Sequence, residues 1–180
     1  MIWLFVGIPI APPLRQLLSS LGETVPGARA VPEDQIHLTL RFIGEVDPPT
    51  FGDIKDSLEG LEAAPLTLSI KGTGHFPPRG QPRILWAGIE PAGDVIILRN
   101  RVNNRLSLCG IKPEQRKFHP HVTLARLKQA PPRRVAAFLA ANSLLHSPPF
   151  SVDHLCLYSS TLHPNGALHR IEAVYPLSTP

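Results

Sequence analysis

Two rhythms of apolar residues alternate along this chain, one with the period of a strand and one with that of a helix. Residues 2–8 form a continuous apolar run, which predicts a central strand. After Pro12-Pro13, Leu14, Leu17, Leu18 and Leu21 recur at helical spacing until Gly22 ends the pattern. A loop over 31–34 leads into a strand over 35–43, which Gly44 closes. Pro48-Pro49-Thr50 opens a second helix with Phe51, Ile54, Leu58 and Leu61 as its buried stripe. Strict alternation over 66–72 predicts a half-buried strand, 74–80 reads as a loop, and 83–89 as the antiparallel partner strand. The longest helical pattern covers 94–110, with Val95, Leu98, Val102, Leu106 and Cys109 on one side and basic residues on the other. A strand over 119–127 follows, then a helix begun by Pro131-Pro132 and carrying Val135, Phe138 and Leu139. Strands over 150–158 and 167–176 complete the series. Helices mixed with strands of antiparallel character define an α+β fold.

Within this series one short pattern returns. His37-Leu38-Thr39-Leu40 is matched by His121-Val122-Thr123-Leu124, each inside a strand. Alternate side chains of a strand point to opposite faces, so His and Thr share one face and the apolar residues the other. A single His on a strand is more often a hydrogen-bonded structural group. A second copy with Thr at the same offset points instead to two imidazoles facing each other, each with a hydroxyl nearby. That is an acid–base pair around an anion. The two copies also stand in comparable contexts, each following a helix and preceding another, which hints at duplication and two lobes. By regular parity Arg41 shares the His37 face and Phe42 belongs to the core, whereas Arg126 faces away from His121 unless a bulge re-aims it.

Composition narrows the picture. At 180 residues, with 43% hydrophobic and 18% charged, the chain reads as one globular domain over 1–180 and not as a disordered one. A net charge of +4 is compatible with a polyanionic partner. Much of it comes from Arg99, Arg101, Arg105, Lys112, Arg116 and Lys117, which read either as a solvated helix face or as a phosphate track. Two cysteines are too few for a disulfide framework, and neither has metal-site spacing. The opening residues lack the basic lead of a signal peptide, and no apolar run approaches a membrane span, so a soluble, cytoplasmic protein is expected. His119 with His121 offers two imidazoles, but no third or fourth ligand is identifiable by spacing, so no metal and no cofactor are expected.

Paired His-x-Thr-apolar motifs resemble those of the 2H phosphoesterase superfamily. Leu4-Phe5-Val6-Gly7-Ile8-Pro9, the extended motif from His37 to Val46, and Pro82-Arg83-Ile84-Leu85-Trp86-Ala87-Gly88 resemble its RNA 2′,3′-cyclic phosphodiesterase branch, historically called 2′-5′ RNA ligase. So do Pro120-His121-Val122-Thr123-Leu124-Ala125-Arg126 and Leu157-Tyr158-Ser159-Ser160-Thr161-Leu162 with Gly166-Ala167. The resemblance implies a bilobal fold: two antiparallel-type sheets, helices outside, and a central cleft with one motif per lobe. It implies an RNA substrate ending in a 2′,3′-cyclic phosphate, with the 3′-oxygen leaving.

Under that reading His37 is the proton donor and His121 the proton acceptor, on opposite sides of the phosphorus. Thr39 and Thr123 donate to non-bridging oxygens. Arg126, Arg83 and Arg41 are further substrate-binding candidates. Phe76, Trp86 and Tyr158 are candidates for stacking a base, although Trp86 also suits a core. His119 is a candidate phosphate or base contact. His169 stands where the family often carries an aromatic residue, and together with His75, His146, His154 and His163 it is expected to be exposed. The expected molecule is a monomer that needs no ATP. Two alternatives remain: the reverse reaction, joining a 5′-hydroxyl to form a 2′-5′ linkage, and a binding module that keeps the cleft without turnover. Small cyclic nucleotides or ADP-ribose cyclic phosphate are alternative substrates.

Overall fold

The computed structural model describes residues 1–164 and 166–179. In chain order the elements are β1 (Ile2–Pro9), α1 (Pro12–Glu23), β2 (Ala28–Ala30), a single 3-10 turn (Glu33–Gln35), β3 (His37–Val46), α2 (Pro48–Glu59), β4 (Leu66–Phe76), β5 (Ile84–Glu90), α3 (Ala92–Ser107), β6 (His121–Leu127), α4 (Pro132–Ala141), β7 (Phe150–Val152), β8 (His154–His163) and β9 (Gly166–Pro176). Proline opens α1, α2 and α4, where its missing N–H costs nothing and its fixed φ suits the first turn. At α2 the Asp47 side chain also accepts from the Thr50 N–H at 2.8 Å.

The strands form one antiparallel sheet of nine in the order β7-β4-β5-β6-β3-β1-β8-β9, with β2 on β6. The α+β expectation holds, but the two expected sheets are joined into one. The join is a waist: β3 and β6 meet only through the pair Leu38↔Val122. Beyond that pair β6 leaves β3 and takes up β2 instead, over Ala28↔Leu127 to Ala30↔Ala125.

The two faces of the sheet carry different chemistry. Leu4, Val6, Ile8, Leu38, Leu40, Leu85, Ala87, Val122 and Leu124 point into one large apolar cluster. The same cluster takes Leu18 of α1, Ile54 and Leu58 of α2, Val95, Leu98, Val102 and Leu106 of α3, and Val135 and Phe138 of α4. All four helices therefore cover one face. The opposite face holds a small separate cluster of Phe5, Cys156 and Tyr158, and the two histidine motifs. No helix among the described residues is long and apolar enough to cross a membrane.

Several expectations are corrected. Gly44 does not close β3: it lies in the ladder opposite Leu4, at φ +91°, and the strand continues to Val46. Residues 74–76 are not loop, because Gly74 pairs with Trp86 and β4 runs on to Phe76. A side chain at Gly74 would meet the Trp86 indole, whose Cζ2 lies 2.2 Å from where a Cβ would stand. β2 has too short a run to show in the sequence.

The basic stretch divides: Lys112, Arg116 and Lys117 are exposed, but the arginines of α3 have partners within the fold. Arg99 is buried, and Arg101 donates to the Glu62 carbonyl at 2.5 Å and Arg105 to the Ser57 carbonyl at 2.6 Å. These side chains tie α3 to the end of α2, on the helical side of the sheet.

Gly22 is fixed by close approach. A Cβ there would stand 2.3 Å from the Leu124 carbonyl oxygen, which already accepts from the Val31 N–H at 2.9 Å. Gly22→Ala is expected to push α1 off β6 and destabilise the fold by about 2 kcal/mol. A thermal melt of the variant checks this; an unchanged midpoint would contradict the contact.

Candidate active site

The site forms where β3 and β6 part. Each strand carries a β-bulge at the same place in its motif. On β3, Gly7 pairs with Thr39 but Val6 pairs with Arg41, so Leu40 is the extra residue. On β6, Trp86 pairs with Thr123 but Leu85 pairs with Ala125, so Leu124 is the extra residue. A bulge places two residues against one and re-aims the side chains beyond it. Parity after each motif is therefore reversed. Leu40 and Arg41, like Leu124 and Ala125, are buried together, while Phe42 and Arg126 emerge on the histidine face.

This corrects both expectations at 41 and 42. Arg41 is 5% exposed and points away from the site, donating to the Lys112 carbonyl and facing Glu114 at 3.6 Å. Phe42, expected in the core, is 61% exposed and lines the cleft. Arg126, which needed a bulge, has one. Arg83 is exposed and does not line the cleft; its backbone N–H and carbonyl bond Phe76 and Leu127 at 2.7 Å.

The pair Leu38↔Val122 brings the two motifs side by side. Its antiparallel sense sets His37 toward Thr123 and Thr39 toward His121. Both imidazoles are held alike. His37 Nδ1–H donates to the Gln35 carbonyl at 2.7 Å, and His121 Nδ1–H donates to the His119 carbonyl at 2.6 Å. In each case the acceptor is the backbone two residues earlier, and Nε2 keeps the lone pair. His37 Nε2 accepts from the Thr39 hydroxyl at 3.0 Å. Burial lowers the His37 pKa to about 4, against the raising effect of the Gln35 carbonyl and with His169, His121 and Arg126 lowering it further. Burial also lowers His121, opposed by the His119 carbonyl. Both imidazoles are therefore neutral at pH 7.

Aromatic side chains fix each ring. His37 lies 4.8 Å from Phe5, which stacks on Tyr158 at 4.8 Å and 8°. Gly7 leaves room for this packing: a Cβ there would meet Tyr158 and His37 at 3.3 and 3.6 Å. On the other side Phe76 meets His121 edge-on at 4.9 Å, and His119 lies over Trp86 at 4.7 Å. Of the proposed base-stacking residues, Tyr158 is buried beneath the site, while Phe76 and Trp86 are half-buried beside it.

A cleft of about 390 Å³ opens on the His37 side, lined among others by His37, Thr39, Phe42, Thr123 and Arg126. His169 belongs to it as well and is half-buried, which corrects the expectation of an exposed histidine. It lies edge-on to His37 at 5.2 Å, and its backbone N–H donates to Gln35 Oε1 at 2.8 Å. Gln35 thus holds His37 by its backbone and His169 by its side chain. The place of His169 after Gly166-Ala167, where the family often carries an aromatic residue, is the only hint in the sequence; its approach to His37 comes through the pairing β1-β8-β9. Among the described residues no group of three His, Cys, Asp or Glu side chains is placed to hold a metal ion.

Two imidazoles fixed through Nδ1, with hydroxyls beside them on the open face of an antiparallel sheet, define the class of site. The chain belongs to the 2′-5′ RNA ligase superfamily, whose family profile matches residues 9–164. An RNA 2′,3′-cyclic phosphodiesterase of Thermotoga maritima is 34% identical over 149 residues, covering 81% of this chain and 77% of its own length. One from Aeropyrum pernix is 37% identical over 118 residues, covering 65% of this chain and 67% of its own. A crystal structure of a Thermus thermophilus protein shares the fold, with a TM-score of 0.78 at 27% identity over 98% of each chain.

Proposed function

We propose that this protein opens 2′,3′-cyclic phosphates at RNA ends to 2′-phosphates, by acid–base catalysis between two histidines without a metal. The observation that carries the reading is the meeting of both His-x-Thr motifs at one antiparallel pair, with both imidazoles in the same tautomer. The relatives' activity supports it.

In the reaction, His121 Nε2 takes a proton from water, whose oxygen attacks phosphorus opposite the 3′-oxygen. The bond from phosphorus to the 3′-oxygen breaks, and His37 Nε2–H delivers the proton to that oxygen. The ring opens with the phosphate left on the 2′-oxygen. His37 suits the donor role because its stronger desolvation makes its imidazolium the stronger acid. The acid gains its proton with the anionic substrate, which favours the charged ring. Thr39 and Thr123 donate to the non-bridging oxygens, and Arg126 offsets their charge. Arg41 and Arg83 have no part in this scheme. The same groups serve attack by an RNA 5′-hydroxyl, the ligation reading, but bulk water favours hydrolysis.

The test is incubation with adenosine 2′,3′-cyclic phosphate and a short RNA bearing the same end, in excess EDTA, with products resolved by phosphorus NMR. The 2′-phosphate is the expected product. Formation of the 3′-phosphate would reverse the leaving group, and absence of turnover in folded protein would overturn the reading.

A further inference from the structure

The cleft holds a second positive group beyond those that face the reacting phosphate. Arg29 of β2 pairs directly with Arg126 of β6. Residues directly opposite on antiparallel strands share a face with Cβ atoms about 5 Å apart, and like charges there repel. Both arginines line the cleft, and no carboxylate lines it with them. Among the described residues neither arginine is in an ion pair. The exposed Arg29 side chain lies against the start of β9: its Nη2 is 2.8 Å from where a Cβ of Gly166 would stand. Two arginines paired across the strands in a cleft without a carboxylate call for an anion between or above them.

The geometry says which anion. Thr123 and Arg126 lie three residues apart on β6, roughly 10 Å at the rise of a strand and less across the bulge. Thr123 serves the cyclic phosphate, so Arg29 lies about one nucleotide further out. We propose that Arg29, with Arg126, binds the phosphate on the 5′-oxygen of the terminal nucleotide, the link to the rest of an RNA chain. The site then reads two consecutive phosphates and favours RNA ends over free cyclic nucleosides. This rests on the proposed function for the identity of the first phosphate.

The test compares kcat/KM for adenosine 2′,3′-cyclic phosphate with and without a 5′-phosphate. Wild type is expected to favour the 5′-phosphorylated substrate about tenfold, the effect of one charge-assisted contact at an exposed site. Arg29→Gln brings that ratio close to one, and Arg29→Lys keeps part of it. A ratio near one in wild type, or one unchanged in Arg29→Gln, overturns the proposal; so does an equal loss on both substrates, which is what a purely structural arginine would give. A second arm needs no turnover: calorimetric titration with adenosine 2′-phosphate and adenosine 2′,5′-bisphosphate. If cyclic phosphates are not opened but wild type still favours the bisphosphate and Arg29→Gln does not, the reaction reading fails and the subsite stands. Equal affinity of wild type for the two ligands removes the subsite whatever the turnover.

Discussion

Replacing either His37 or His121 by glutamine is expected to lower kcat for cyclic-phosphate opening about 10³-fold, the middle of the range for a positioned proton-transfer group. Glutamine fills similar space and can still hydrogen-bond, but it has no titrating nitrogen. Affinity for adenosine 2′-phosphate should survive in both variants. Loss of affinity together with turnover would mean the rings serve only to bind. Full turnover in either variant would remove that histidine from the chemistry.

The pH dependence separates the two roles. Burial disfavours the imidazolium, so His37 stays neutral down to about pH 4 and His121 stays neutral below its ordinary value of 6.5. The pH profile of kcat/KM reports the free protein. It should be bell-shaped with both limbs below pH 6.5, falling tenfold per unit on the alkaline side. The profile of kcat should lie further alkaline, because a bound anion favours the charged ring. His37→Gln should lose the alkaline limb, since the acid's need for a proton is gone. His121→Gln should lose the acid limb. Exchange of the two patterns would exchange the roles, and loss of the same limb in both would end the division of labour. A kcat/KM optimum above pH 7 in wild type would contradict the desolvation.

The second large effect is on stability. Arg41 and Arg99 are 5% and 8% exposed, and they face one carboxylate, Glu114, at 3.6 and 3.8 Å. Arg99 also lies over the Phe118 ring at 4.8 Å. Glu114→Gln leaves two neighbouring buried guanidiniums without a counter-charge. A cost of about 3 kcal/mol is expected, at the low end for a broken buried pair because Glu114 is one-third exposed. For a chain of 180 residues that lowers the melting temperature by roughly 10 °C. The variant Arg41→Met with Arg99→Met and Glu114→Leu should recover most of the loss, because an apolar replacement removes the desolvation penalty along with the pair. A melt of Glu114→Gln within 2 °C or so of wild type would show that the charges are hydrated in the fold. The same contacts hold the segment that leads to His119, whose carbonyl fixes His121. Loss of stability should therefore come with some loss of turnover even in the folded fraction.

The sequence by itself determined the recurring His-x-Thr pattern, the apolar stripes of the helices and the placing of most strands. These are local properties: a period of two or 3.6 and a proline at a helix start are written in neighbouring residues. It also carried the family. What it could not carry is anything that depends on how one strand lies against another. A bulge belongs to a pair of strands, so regular parity sent Arg41 to the site and Phe42 to the core, and the register of β1 on β3 reverses both. The same irregularity of β5 on β6 turns Arg126 toward the histidines. Arg29 reaches the cleft because β6 abandons β3 after one pair and takes up a strand of three residues. His169 reaches it on the β8–β9 hairpin, which pairs with β1 from the far end of the chain, and only the antiparallel order of the sheet sets its ring against His37.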